Sequence, residues 1–332
     1  MKHRFLVLLF AILIGSSVAG QTNNRPPSDS FRVVGYYFLR AAQNDTAVKN
    51  RAYPFLDHLT HLNIAFINPD SNGTFQKNLL IHDLIAKAHA KGVKVLASIA
   101  GGGSHAYYSK LLHQPERKKL VSDLTEIVLQ NNLDGVDVDL EGGDIDQNYE
   151  PFVTELAASL RKHKKEITSA IATAYKDQLT DKALAQFDFI NIMSYDATGP
   201  WRPQDAGPHA PYEMAVRDLD YWLQTRGLPG KKVNLGLPFY GYVFGPPSSP
   251  VTSMTYQDII ATGRVQHEGD TLQLPGSAVV YFNGAATIKA KTDMAVSRAG
   301  GVMIWQILGD AEGAHSLLEL ITNTVEASRK KP

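Results

Sequence analysis

What most restricts the fold of this chain is a succession of eight β-rich apolar runs taking turns with amphipathic stretches. The runs fall at 33–38, 62–67, 94–99, 135–141, 168–172, 189–193, 233–237 and 301–306. Between them, residues 79–91, 121–130, 153–164, 214–225 and 315–325 carry helical patterns, the first stopped by Gly92. Such alternation favours parallel strands joined by crossover helices over an all-β or all-α chain. Eight strands with interleaved helices predict a TIM (β/α)8 barrel. A doubly wound open sheet is the competitor, but the glycine-rich phosphate turn expected after its first strand is absent.

The spacing breaks once. About sixty residues separate Phe239 from the last run, more than a βα connection needs outside its helix. Within that gap, 255–262 predicts a short helix, 271–274 and 278–282 predict short strands, and 284–298 predicts the helix leading to strand eight. The expected organisation is a barrel over 31–328 with a small rim insertion at 243–285.

The N-terminus reads as an export signal. Met1-Lys2-His3-Arg4 is basic, 5–14 is apolar, and small residues follow to Gly20. Cleavage is expected near Ala19 or Gly20, leaving a polar leader at 21–30 and a secreted or periplasmic protein. No later segment approaches the roughly 20 apolar residues of a membrane span, so no integral membrane segment is expected after cleavage.

Hydrophobic residues at 44% and charged residues at 20% fit a globular chain able to bury a core. With 33 Lys+Arg against 33 Asp+Glu there is no diffuse field to attract nucleic acid or anionic lipid. The absence of cysteine excludes disulfides, thiolate catalysis and Cys-bound zinc. The histidines lack metalloprotease spacing, and His58 and His61 read as surface or capping residues. Neither a metal nor a nucleotide cofactor is expected.

The chemistry concentrates in one run, Asp134-Gly135-Val136-Asp137-Val138-Asp139-Leu140-Glu141. Side chains alternate across a strand, so Asp137, Asp139 and Glu141 share one face while Val136, Val138 and Leu140 share the other. In a barrel the Val/Leu face packs on helices. The acids then lie inside, with Glu141 at the carboxyl end where barrel active sites form. Neighbours on that face are roughly 6.6 Å apart, and their mutual repulsion in a poorly solvated interior keeps at least one protonated near neutrality. A protonated carboxyl beside an ionised one is the equipment of general acid catalysis. The competing readings are a solvated edge strand, which would not carry an unbroken Val/Leu face, and a calcium loop, whose central Gly is replaced here by Val138. Asp134 falls on the opposite face, where a structural role is expected.

Asp134-x-x-Asp137-x-Asp139-x-Glu141 matches the DxxDxDxE signature of glycoside hydrolase family 18, the chitinase family, and the chain resembles that family along nearly the whole of its mature length. Further landmarks appear in family order, each at the carboxyl end of an expected strand. They are Val34-Gly35-Tyr36-Tyr37-Phe38, Ser98-Ile99-Ala100-Gly101-Gly102, Met193-Ser194-Tyr195-Asp196, Pro238-Phe239-Tyr240-Gly241 and Met303-Ile304-Trp305.

The resemblance implies retaining hydrolysis of β-1,4-linked N-acetylglucosamine, with the substrate's acetamido group as nucleophile. It implies Glu141 as acid and then base, Asp139 orienting the acetamide, and Asp137 sharing a proton with Asp139 and taking a hydrogen bond from Ser98. It also implies Tyr195 bonding the acetamido carbonyl and Asp196 bonding the sugar. Tyr36 and Met193 would line the acetamide pocket, Trp305 would form the apolar floor under the reacting sugar, and Trp201 would stack on the leaving-group side. Phe38, Ser98 and Tyr240 complete the substrate-binding candidates. For each aromatic, ordinary core packing is the competing role. The implied partner is chitin or another N-acetylglucosamine-containing glycan, and a monomer is expected. Two alternatives stay open: an endo-β-N-acetylglucosaminidase acting on N-glycan cores, and a non-catalytic chito-oligosaccharide-binding protein. The chain departs from the family pattern at Ala100, where Gly is common, and at Tyr242, where many chitinases of this type carry an Arg.

Overall fold

The computed structural model describes residues 31–39, 53–76, 81–102, 105–247, 249–264 and 269–330. The expected signal segment and leader lie outside these residues. The first half of the chain runs β1 (Arg32–Phe38), β2 (His61–Ala65), α1 (His82–Ala90), β3 (Lys94–Ala100), α2 (Ala106–Leu111), α3 (Glu116–Gln130), β4 (Gly135–Asp139) and α4 (Tyr149–Lys162). It continues through β5 (Glu166–Ile171), α5 (Asp181–Gln186), β6 (Phe189–Ile192), α6 (Tyr212–Asp220) and β7 (Val233–Pro238). Then come β8 (Tyr240–Phe244), β9 (Thr252–Thr255), α7 (Tyr256–Ala261), β10 (Thr271–Gln273), β11 (Val279–Tyr281), α8 (Ala285–Arg298), β12 (Gly301–Trp305) and α9 (Leu317–Arg329).

Strands β1 to β7 and β12 close into an all-parallel TIM barrel in the order β1-β12-β7-β6-β5-β4-β3-β2. All eight expected strands are present, with ends shifted by one or two residues. The helices form for local reasons. In α4, Tyr149, Phe152, Val153, Leu156, Ala157 and Leu160 recur at three- and four-residue steps and bury one face; the chain leaves the helix at Lys164, whose φ is 56°. At the start of α9 the Ser316 hydroxyl accepts the Glu319 N–H, and the Asp310 carboxylate accepts the N–H groups of Leu317 and Leu318.

Alternation along the strands separates two cores. Val136, Val138 and Leu140 join the large apolar layer between strands and helices. The inner face of the barrel carries the smaller cluster of Val34, Tyr36, Ala65, Ala170, Phe189, Tyr195 and Met303. It also carries buried polar residues, among them Ser98, Asp137, Thr168, Asn191 and Asn234. Asp134 sits at the opposite end of the barrel from Glu141, where its Oδ2 accepts the Val95 N–H at 2.8 Å and faces His89 Nε2 at 2.8 Å, so it anchors the start of β3. His61, expected at the surface or as a cap, is buried in β2 with Nε2 3.4 Å from Glu166 Oε2, because the strand begins one residue earlier than its apolar pattern suggests.

The insertion is a four-stranded antiparallel sheet in the order β10-β11-β8-β9. The two short strands and the short helix expected from sequence are there, but β8 and β9 were not anticipated. Strand β8 follows β7 after Phe239 alone, so no turn signal separates the two in the sequence. Gly241 is required in β8, since a Cβ there would lie 2.4 Å from the Tyr281 carbonyl of β11. Tyr240 and Tyr242, two residues apart, share one face of this strand.

Candidate active site

The acids occupy the carboxyl end of β4. The hydrogen-bonded strand stops at Asp139, two residues short of expectation, yet Glu141 keeps extended dihedrals of φ −129° and ψ 157°, so the alternation carries on through it. Register explains the environment of Asp137: it pairs with Ser98 on β3 and Thr168 on β5. Ser98 Oγ donates to Oδ2 at 2.8 Å, Thr168 Oγ1 donates to Oδ1 at 2.6 Å, and Tyr36 Oη reaches across the barrel from β1 to donate to Oδ2 at 2.6 Å. Burial raises the Asp137 carboxyl above its ordinary range, and these three hydroxyls oppose the shift by favouring the anion.

Asp139 has no such support. Burial, then the charges of Glu141 and Asp137, push its carboxyl well above the ordinary range. Its Oδ1 is buried without a hydrogen-bond partner from the protein. Asp139 and half-buried Glu141 both line a cleft of about 650 Å³. Tyr195 lines the same cleft, and among the described residues its hydroxyl meets the weak acceptor Met303 Sδ, at 3.8 Å. Burial, followed by the charges of Asp139 and Asp196, holds the Tyr195 phenol well above its usual range, so it remains a donor.

The cleft floor is aromatic. Trp305 is locked by Tyr36 edge-on at 5.6 Å, by Phe66 stacked at 5.6 Å and 24°, and by Phe38 at 5.5 Å. At the other side Trp201 is 54% exposed and stands edge-on to Tyr242 at 5.7 Å. Next to them Asp196, at φ 64°, accepts a hydrogen bond from Tyr240 Oη. Among the described residues no cluster of three or more His, Asp or Glu is arranged to hold a metal ion.

The family described as Glycosyl hydrolases family 18 matches residues 32–310. The chain belongs to that family. Among solved structures of family 18, the chain is similar to the chitinase ChiB from the chitin utilization locus of Flavobacterium johnsoniae. Identity is 36%, the TM-score is 0.81, and the match covers 90% of this chain and 95% of that one. Human Chitinase-3-like protein 2 is 24% identical over 314 residues, covering 76% of this chain and 80% of that protein. Chitinase B of Serratia marcescens is also 24% identical, over 291 residues covering 64% of this chain and 58% of the longer relative.

In this family-18 chain Tyr36, Asp139, Glu141, Met193, Tyr195, Asp196, Trp201 and Trp305 all face the one cleft. Asp137, Ser98, Phe38 and Tyr240 do not line it. Each instead holds a residue that does or that supports one: Asp137 accepts the Tyr36 hydroxyl, Ser98 holds Asp137, Phe38 packs on Trp305, and Tyr240 bonds Asp196. The sequence reading missed Phe66, Thr173, Tyr175 and Arg202 as lining residues, and it missed His209 behind Asp196. Phe66, Arg202 and His209 sit in loops, and Thr173 and Tyr175 in a 3-10 turn over Thr173–Gln178, where no periodicity points to a face. Tyr242, at the position where the chain departs from the family pattern, lines the cleft and packs edge-on against Trp201 and Tyr240.

The family's departure at Ala100 has a local compensation. Ala100 adopts φ 67°, a region that costs a residue with a Cβ roughly 1–2 kcal/mol. The Asn68 carboxamide clamps it from both sides, its Oδ1 accepting the Ala100 N–H at 2.6 Å and its Nδ2 donating to the Ala100 carbonyl at 2.9 Å. Gly101 has no such latitude: φ is 74°, and a Cβ would lie 1.9 Å from the Phe66 ring that stacks on Trp305. Gly101→Ala is therefore expected to destabilise the fold by about 2–4 kcal/mol and to weaken sugar binding through a displaced floor. Chemical denaturation and sugar titration measure the two effects; a near-neutral result in both would refute this account of the floor.

Proposed function

We propose that the chain is a secreted, retaining hydrolase of β-1,4-linked N-acetylglucosamine in chitin or chito-oligosaccharides, acting by substrate-assisted catalysis. The observation that carries this reading is Asp139. It is a buried carboxyl that tends to keep its proton, sits beside Glu141 at the cleft floor, and has one oxygen with no protein donor. An acetamide N–H is a fitting donor for that oxygen. Similarity to the Flavobacterium johnsoniae chitinase supports the same substrate class.

In the proposed cycle Trp305 supports the reacting sugar, and Tyr195 Oη donates to the acetamido carbonyl and holds its oxygen near the anomeric carbon. Proximity supplies much of the acceleration. The carbonyl oxygen bonds to the anomeric carbon as the glycosidic C–O bond breaks, and Glu141 gives its proton to the departing oxygen. Asp139 takes the acetamide N–H and stabilises the positive oxazolinium; hydroxyl-supported Asp137 carries the charge that Asp139 gives up when it holds the shared proton. Water then attacks the anomeric carbon from the face the leaving group left, Glu141 takes its proton, and the oxazolinium C–O bond opens. Two inversions give net retention.

The test is a product profile on chito-oligosaccharides, crystalline chitin and a high-mannose N-glycopeptide in parallel. Cleavage of the oligosaccharides with β-anomeric products is expected. Activity confined to the glycopeptide, or absent from all three, would overturn the reading. Export is tested separately, by N-terminal sequencing of the protein recovered outside the cytoplasm. A start just after Ala19 or Gly20 is expected, and a retained Met1 would reject it.

A further inference from the structure

We propose that His209 is the positioning residue of Asp196 and works as an imidazolium, making the pair a fixed charged anchor on the sugar-binding wall. This rests on the reading of Asp196 as a sugar-binding carboxylate. His209 is fully buried. Its Nδ1 lies 3.3 Å from Asp196 Oδ1, and its Nε2 lies 3.3 Å from the Tyr240 carbonyl oxygen.

A backbone carbonyl only accepts, so Nε2 must carry a proton to meet it. Asp196 Oδ1 already accepts from Tyr240 Oη. The oxygen that takes the Tyr240 hydroxyl proton meets Nδ1 as an acceptor, so Nδ1 must carry a proton too. A neutral imidazole has one N–H and leaves one of these contacts as an acceptor facing an acceptor; the imidazolium satisfies both. Among the described residues His209 is the one group able to carry positive charge that lies within ion-pair distance of Asp196.

The surroundings hold the ring still. Tyr240 and Tyr242 pack on it at centroid distances of 4.9 and 5.1 Å. The His209 carbonyl accepts the Ala197 N–H at 2.8 Å, and the next carbonyl, that of Ala210, accepts from Lys291 Nζ at 2.7 Å and from Asn283 Nδ2 at 2.9 Å. Charged and titratable groups facing the pair are Tyr195 after β6, which feels the charge of Asp196, Tyr240 and Tyr242 from β8 and, through Ala210, Lys291 from α8; Lys291 in turn feels Asp270, Asp218 and Glu213. Asp196 is held at φ 64° with its side chain 36% exposed to the cleft, so its carboxylate is a wall group whose placement depends on what stands behind it.

The test is 15N NMR of the histidine rings in the full chain at pH 6.5, with the His209 signals assigned by their loss in His209→Asn. Two protonated ring nitrogens are expected, reverting to a neutral tautomer in Asp196→Asn at the same pH. A neutral ring in the parent, or an imidazolium indifferent to Asp196→Asn, overturns the proposal whether or not the protein binds sugar. In hydrolysis, His209→Asn should raise KM about tenfold and change kcat much less. An equal loss in both, or none, also counts against it. If chito-oligosaccharide does not bind to Glu141→Gln protein, the hydrolase reading fails while the NMR result still decides the protonation of His209.

Discussion

Replacing Glu141 by Gln is expected to lower kcat on chito-oligosaccharides by between about 10² and 10⁴-fold while leaving folding and oligosaccharide affinity close to the parent. Gln keeps the shape and the extended backbone of a residue that is half-buried at the cleft edge, so no cavity forms and no buried charge is stranded. What it removes is the proton for the departing oxygen and the base for the incoming water. Stopped-time product analysis measures the first effect, and titration followed by tryptophan fluorescence measures the second, since Trp201 and Trp305 both face the cleft. Parent-like hydrolysis by the variant would reject Glu141 as the acid.

Asp139→Asn is expected to lower kcat by about 10²–10³-fold and, at neutral pH, to make the protein more stable by about 1–3 kcal/mol. Both effects have one cause. Burial, Glu141 and Asp137 raise the folded-state carboxyl well above its ordinary range, whereas the unfolded chain ionises it at about 3.9. As pH rises past that unfolded value, the unfolded state sheds a proton that the folded state keeps, so stability falls until the folded-state carboxyl also ionises. Raised carboxyls at Asp137, Asp218 and Asp310 contribute with the same sign, chiefly because they too are buried. Thermal unfolding between pH 4 and 6, below the range where Lys291, lowered by burial to about 7, adds stability as pH rises, should show the parent losing stability with rising pH and Asp139→Asn losing less. A steeper decline in the variant would contradict the assigned environment.

Much of the site could be read from the chain because its geometry is strand parity. The spacing of Asp137, Asp139 and Glu141 puts them on one face of any strand, and the Val136, Val138 and Leu140 face leaves that side no place but the barrel interior. Parity even outlasts the hydrogen-bonded strand, as the extended Glu141 backbone shows. Landmarks at strand ends were legible for the same reason, and most of them share the cleft. The distinction between touching the cleft and supporting a residue that does was not legible. Ser98 and Phe38 sit at strand ends just as Tyr36 and Trp305 do, yet they lie behind the cleft wall.

Sequence alone determined the order of strands, the handedness-constrained closure into a barrel, and the face on which three acids meet, because each follows from periodicity within a few residues. Tertiary structure decided what surrounds those acids. Tyr36 reaches Asp137 from across the barrel, and His209 and the β8 tyrosines converge on Asp196 from a loop and an inserted sheet. Such encounters join segments far apart in the chain, and their geometry depends on how loops close over the barrel mouth. Local propensity carries no record of that closure.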